Sequence, residues 1–247
     1  MMTNPAYSTS EPVKRVHSII LVRHGRTAYN AEGRLQGQSD IPLDDTGLWQ
    51  VEQTGQALRT LYTGDRALGR HAMVVSSDLT RSMQTAHAFA DALPTEVHAD
   101  RRVRERDFGE WEGLRLDEIN SRWPEDYASW VTFQGGEMLH GAEAKSAVGD
   151  RGAQAVSEWA TSAGDDTDLF VFSHGAWISQ TLQTLLGLRQ AHPDFASLLS
   201  LRNAHWVRLL PMNHPDELND MPVRWRLAEY NHGPAIAEQG WDEPRLP

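Results

Sequence analysis

"SIILVRHGRTAYN", Ser18 to Asn30, runs from a short apolar stretch rich in β-branched residues directly into a histidine set between two arginines and followed by glycine. A continuous apolar run of this length is the pattern of a strand buried on both faces of a parallel sheet. Similar runs recur at "AMVVSS" (Ala72 to Ser77) and "DLFVFS" (Asp168 to Ser173). Helical spacing fills the intervals. After "LDDTG", with Thr46 as the expected N-cap, Leu48, Val51, Leu58 and Leu61 share a face. A second helix is expected from Asp78, which would cap it, with Met83, Ala86, Ala90 and Leu93 on one side. Ala144, Ala147, Val148, Ala155, Val156 and Trp159 make a third stripe, and "AWISQTLQTLLGL" follows the third strand.

This alternation predicts an α/β fold: a three-layer α/β/α sandwich around a mostly parallel, doubly wound sheet. Two later strand patterns, "NAHWVRLL" and "PVRWRLAEY", have no long helix between them and predict an antiparallel edge. Residues 1–15 read as a disordered lead-in, 16–235 as a single domain and 236–247 as a C-terminal tail. Within the domain, residues at about 105–141 leave the strand-helix rhythm and read as an excursion over the sheet. That excursion carries Trp111, Trp123, Tyr127, Trp130 and Phe133, which could stack on a sugar ring but more often simply pack such a segment down.

Composition narrows the function classes. The 247 residues are 40% hydrophobic and 23% charged, as in ordinary globular proteins. A formal net charge of -11 repels nucleic acid and anionic lipid, so any anion site has to be local. The chain has no cysteine, which removes disulfides, thiolate metal sites and thiol nucleophiles. The polar N-terminal stretch lacks a signal-peptide core and no apolar run approaches a membrane span, so a cytoplasmic protein is expected.

His-Gly occurs four times, at His24, His140, His174 and His232. Only His24 and His174 directly follow a buried-strand pattern, which puts both at strand carboxyl ends, where open α/β sheets bind ligands. "AMVVSS" ends at the same edge and leads into a helix carrying Arg81. Arg23, His24, Arg81 and His174 can therefore meet, beside glycines that let backbone amides approach a ligand. Two arginines are poor neighbours for a metal dication, and no paired-histidine metal motif is present. Arginine pairs suit phosphate, and the available nucleophile is an imidazole nitrogen, giving a covalent phosphohistidine. The leaving oxygen needs a proton, for which "RRVRERDFGEWEG" offers Glu105, Asp107, Glu110 and Glu112 without distinguishing them.

Taken in order, "LVRHGRTAYN", "GRLQGQSDIPLDDTG", "VSSDLTRSMQTA", "RERDFGEWEGL" and "VFSHGA" resemble the histidine phosphatase superfamily, in its phosphoglycerate-mutase-like branch. The resemblance spans roughly Ile19 to Leu188. It implies that His24 is the phosphorylated nucleophile, that Arg23, Asn30, Arg81 and His174 complete the phosphate pocket, and that Glu105 is the acid. An amide at Gly175 or Ala176 would face the phosphate, and Arg26, Gln36 and Gly37 are candidates for substrate contact. No metal and no cofactor are implied. Arg26 departs from the family, which usually has Glu or Gln there. The family's Gly-Gly-Glu-Ser turn is matched better by "HGAEA" at His140 to Ala144, from its spacing to Arg151, than by "GGEM" at Gly135.

Thr27 and the compact excursion look more like the family's phosphatases than its mutases. "RLQGQSD", "VSSDLTRSMQTA", "HGAE" and "NAHWVRL" are similar to phosphatases acting on a sugar-linked phosphoglycerate. The expected function is thus a phosphomonoesterase on a small phosphorylated metabolite, with a phosphoglycerate mutase or a non-catalytic phosphate-sensing or protein-binding module as rivals. The expected partner is the small phosphorylated substrate, without nucleic acid or membrane, and a homodimer is compatible with the sequence.

Overall fold

Alternate residues of β1 (Ser18–Arg23) face opposite sides of a sheet, and that alternation organises the molecule. The computed structural model describes residues 16–63, 69–164, 166–190, 198, 200–212 and 225–244; the lead-in expected at 1–15 lies outside them. Ile19 and Leu21 enter one apolar cluster, while Ile20 and Val22 enter another across the sheet. Every position of β4 (Thr167–Ser173) is buried, as its continuous apolar run requires.

β1 pairs in parallel with β4, from Ser18 opposite Asp168 to Arg23 opposite Ser173. β4 pairs in parallel with β2 (His71–Ser76), and β2 with β3 (Val97–Ala99). On the other side of β1 lie β5 (Trp206–Pro211) and β6 (Trp225–His232), both joined antiparallel. The six-stranded order is β3-β2-β4-β1-β5-β6, the mostly parallel sheet with an antiparallel edge that the patterns predict. β3 escapes the sequence reading because its three residues are polar or exposed enough to show no apolar alternation.

Helices α2 (Asp45–Tyr62) and α3 (Thr80–Ala90) cover one face, through Leu58, Tyr62, Ala86 and Phe89. Helices α6 (Lys145–Ala163) and α7 (Gly175–Leu185) cover the other, through Val148, Val156, Trp177 and Ile178. Each Val, Leu, Ile or Phe among them stabilises the fold by roughly 1.5–3 kcal/mol relative to exposure. Among the described residues no helix is long and apolar enough to cross a membrane.

Two expected caps are corrected. Asp44, not Thr46, caps α2, its carboxylate accepting from the Gly47 N–H at 2.7 Å. Asp78 does not cap α3; Arg104 claims both its oxygens at 2.5 and 2.6 Å. Asp40, from a separate loop, instead accepts from the backbone N–H and hydroxyl of Thr80, at 2.7 and 2.9 Å. A charged carboxylate goes to the better partner, and a guanidinium offers a bidentate one.

The excursion is more regular than an irregular segment. It contains α4 (Leu116–Arg122), then α5 (Pro124–Val131), whose proline occupies the first helical turn, where no N–H is missed. Trp111 and Ile119 bury completely beneath it with Trp123 and Tyr127 against them. A four-residue α1 (Ala28–Ala31) follows β1. The expected C-terminal tail is also corrected: α8 (Glu238–Asp242) packs onto the domain and buries Trp241 to 1% exposure.

Candidate active site

The register fixes where the histidines meet. His24 immediately follows β1, its N–H donating to the Ser173 carbonyl at 3.0 Å, and His174 immediately follows β4 and sits at the N-cap of α7. Their ring centroids are 5.2 Å apart. Ser77, after β2, donates to the Phe172 carbonyl, so Arg81 in the first turn of α3 arises at the same edge.

Gly25 is required by close approach: a Cβ there would lie 2.7 Å from both the Gly47 carbonyl oxygen and Val51 Cγ1. The carbonyl of Gly25 stands 2.7 Å from His24 Nδ1. A carbonyl can only accept, so Nδ1 carries the proton and the neutral ring keeps its lone pair on Nε2. His174 has the opposite tautomer. Arg81 Nε donates to its Nδ1 at 3.2 Å, which leaves Nε2 with the hydrogen, and that buried nitrogen has no hydrogen-bond partner. One ring offers a lone pair and the other an N–H.

Burial, reinforced by the charges of Arg81 and Arg23, holds His24 well below the usual histidine range. Burial and the same guanidiniums act likewise on His174, with His24 itself adding to the effect. Both rings are neutral at physiological pH. Arg81 is 0% exposed and braced by the carbonyls of Ser39 and Gly37, at 2.7 and 2.8 Å. Burial pushes it down to about 10, still charged at neutral pH. Arg23 donates to the Leu201 carbonyl, while its buried Nε has no partner. The Asn30 oxygen accepts from Thr27 N–H and from Asn203, so its amide nitrogen is the group left to donate to an anion.

Of the four candidate carboxylates, Glu105 is the one lining the cavity. Its oxygens accept from the backbone N–H groups of Arg106, Trp177 and Ala176, at 2.8, 2.8 and 3.1 Å. The Ala176 N–H is therefore turned to Glu105, while Gly175 and Ala176 both line the cavity. Glu112 is spent on the backbone of Gln38 and Ser39, Asp107 accepts from the Gly109 N–H, and Glu110 is largely exposed. Arg151 pairs bidentately with Glu143 and donates to the Glu105 carbonyl, which agrees with "HGAEA" as the turn leading to α6.

The cavity has a volume of about 580 Å³. It brings together Arg23, His24, Asn30, Arg81, Glu105 and Gly175, and Gln36 and Gly37 also line it, with the Gln36 side chain accepting from the Thr27 hydroxyl at 2.9 Å. His174 touches this group through Arg81 and the His24 ring. Arg26 does not line it: its guanidinium donates to Asp44 at 2.8 Å and to the Asp242 carbonyl at 3.1 Å. Its departure from the expected residue type is thereby explained, because it ties the nucleophile loop to α2 and α8. Among the excursion aromatics, Trp130 and Phe133 reach the cavity wall while Trp111 packs beneath.

Sequence reasoning misses three groups. Asn203 Nδ2 lies within 3.3 Å of the carbonyls of His24 and Gly25 and within 3.1 Å of Asn30 Oδ1, supporting the loop from behind. Arg106 and Lys145 also line the cavity. Arg106 and Asn203 lie inside quoted stretches, but nothing in those stretches says which way their side chains point, and Lys145 lies outside them. Among the described residues, no group of three or more His, Asp or Glu side chains is arranged to hold a metal ion.

Comparison with known proteins finds relatives along most of the chain. The glucosyl-3-phosphoglycerate phosphatase of Mycolicibacterium vanbaalenii is 32% identical over 239 residues, covering 90% of this chain and 98% of that protein. A probable phosphoglycerate mutase of Salmonella paratyphi A is 34% identical over 195 residues, covering 77% of this chain and 83% of the other. The solved structure of a mycobacterial glucosyl-3-phosphoglycerate phosphatase in complex with VO3 superimposes with a TM-score of 0.72 at 28% identity, over 87% of this chain and 99% of that one. The family model for branch 1 of the histidine phosphatase superfamily matches residues 19–220, from the strand that delivers His24 to beyond the antiparallel β5, and it is to this superfamily that the chain belongs.

Proposed function

We propose that this chain hydrolyses a small phosphate monoester, in class a sugar-linked phosphoglycerate, through a phosphohistidine on His24. The observation that carries the reading is the tautomer: Gly25 holds the His24 proton on Nδ1, so Nε2 is a free nucleophile beside two arginines. Relatives matched along nearly their whole length are phosphatases acting on such a substrate, which supports the same class.

The phosphate lies between Arg23 and Arg81, which offset its charge, and His174 Nε2–H and the Asn30 amide donate to its oxygens. His24 Nε2 forms a bond to phosphorus as the ester P–O bond breaks. The departing oxygen takes a proton from Glu105, and the alcohol leaves. Water then attacks phosphorus and gives a proton to the Glu105 carboxylate, the P–N bond breaks, and phosphate and neutral His24 are restored.

Rapid acid-free quenching with 32P-labelled substrate should trap a label on His24 that is stable to base and labile to acid. His24→Ala should abolish both label and turnover. Glu105→Gln should lose far more activity on an alkyl phosphate than on p-nitrophenyl phosphate, whose leaving group needs little protonation. Full turnover by His24→Ala, or isomerisation of 3-phosphoglycerate without release of phosphate, would overturn the reading.

A further inference from the structure

The turn that leads into β5 presses against the nucleophile loop from outside the cavity. The His205 N–H donates to the Arg202 carbonyl at 3.2 Å and closes this turn over Asn203 and Ala204. Ala204 has a φ of 56°, in the left-handed region that alanine rarely adopts, and it is fully buried beside Leu43, Val51 and Trp241. A non-glycine residue stays in that region only where its surroundings hold it, and such strain gathers at functional sites. Here the turn brings two donors to one oxygen: the Ala204 N–H lies 3.0 Å from the His24 carbonyl and Asn203 Nδ2 lies 3.2 Å from it. Asn203 Nδ2 also stands 3.3 Å from the Gly25 carbonyl and 3.1 Å from Asn30 Oδ1. The Gly25 carbonyl is the group that keeps the His24 proton on Nδ1.

We propose that Asn203 is a positioning residue that fixes the directions of the Asn30 amide and of the Gly25 carbonyl, so that one side chain sets both a donor to the phosphate and the lone pair of the nucleophile. The proposal rests on the phosphatase reading and deepens it. Asn203 does not line the cavity, so it acts through these two groups and not on the substrate.

Donor and acceptor chemistry makes the arrangement one-way. Asn30 Oδ1 accepts from the Thr27 N–H at 3.2 Å as well as from Asn203, so a flipped Asn30 amide would set its NH2 against two donors. The Thr27 hydroxyl, also 3.2 Å from Asn30 Oδ1, spends its hydrogen on Gln36 at 2.9 Å. Without Asn203 the Asn30 oxygen therefore keeps a single backbone donor. A flipped Asn203 would set its oxygen against the carbonyls of His24 and Gly25. The peptide after Gly25 is held at its other end by the Arg26 N–H, which donates to Gln50 Oε1 at 2.9 Å, and Asn203 holds it at the oxygen. Asn203 is itself anchored: its backbone carbonyl accepts from His205 Nδ1 at 3.1 Å and from Trp241 Nε1 at 3.2 Å, and the neighbouring Arg202 N–H donates to Asn231 Oδ1 at 2.9 Å.

A double-mutant cycle on the full chain tests this, with Asn203→Ala, Asn30→Ala and the double variant read by kcat on p-nitrophenyl phosphate and by calorimetric titration of inorganic phosphate. Asn203→Ala should lower kcat by about 10–100-fold, as a small misplacement of a reacting group does. It should also weaken phosphate binding by about 10-fold, the size of one hydrogen bond to a charged group. In the Asn30→Ala background the loss in kcat should persist while the loss in affinity shrinks below about 2-fold, because the amide that Asn203 orients is gone. A merely structural role would weaken phosphate binding equally in both backgrounds, and that result overturns the proposal, as does an unchanged kcat or Kd in Asn203→Ala. Asn203→Asp keeps the shape without the donors and should behave like Asn203→Ala; parental kcat and affinity in it overturn the proposal. Should Asn203→Ala fail to fold, Asn203→Asp carries the same cycle. If the parent hydrolyses no phosphomonoester, the phosphatase reading fails separately and the phosphate titrations still decide the role of Asn203; a parent that binds no phosphate overturns both.

Discussion

His24 and His174 are held neutral by burial among guanidinium groups, and this makes the fold sensitive to acid. In the unfolded chain each imidazole titrates near 6.5. In the folded chain both titrate well below that, so at pH values under about 6.5 the unfolded state binds more protons. The stabilisation is fully present above about 6.5 and is lost as pH falls towards the folded values, by up to ~1.4 kcal/mol per pH unit for each ring. Urea midpoints measured from pH 7.5 to 5 should therefore drop, and His174→Asn should flatten the drop. Superimposable slopes for parent and variant would contradict it. At this scale the sequence is informative where chemistry and strand position coincide: His24, His174 and Arg81 are all placed by the runs that precede them. Glu105 is not, because four nearby carboxylates look alike until their backbone partners are known. Asn203 is 179 residues from the loop it supports, and no local pattern reports such a contact.

Helices α6 and α7 cross closely enough that glycine is required on the contact face. A Cβ at Gly149 would stand 2.6 Å from the Gln180 carbonyl oxygen and 2.5 Å from Thr184 Oγ1. Two effects oppose one another in Gly149→Ala. Helix propensity favours alanine by about 1 kcal/mol, whereas overpacking costs about 1–3 kcal/mol, and a carbonyl within a helix cannot swing aside. Net destabilisation of up to about 2 kcal/mol is expected from denaturant titration; a more stable variant would show that the helices separate freely. Elements with long apolar periods are readable from sequence because both faces of the sheet demand them, as β1, β4 and α2 show. Caps and β3 are not, since Asp40 from another loop takes the contact expected of Asp78, which pairs with Arg104, and β3 is only three residues long.

Across the whole molecule, α8 joins the last described segment to the first. Trp241 Nε1 donates to the Asn203 carbonyl at 3.2 Å, Gln50 donates to the Trp241 carbonyl at 3.1 Å, and Arg26 donates to the Asp242 carbonyl. Since Asn203 in turn supports the carbonyls of His24 and Gly25, truncating this side chain should reach the nucleophile. Trp241→Ala is expected to cost about 3–5 kcal/mol of stability and to lower kcat more than it raises KM, as loss of orientation does. Unchanged kcat in the folded variant would disconnect α8 from the site. None of this is legible in "AEQGWDEP", where one tryptophan among polar residues has no period, and α8 lies beyond the region matched by the family model. The contacts concerned close loops of 191 and 216 residues, the most non-local in the catalytic neighbourhood. Loop closure on that span is entropically costly and favours late formation, after the local helices and the parallel strands have assembled. The expected order is secondary structure before chemistry: helix content should return during refolding before the nucleophile loop is locked in place.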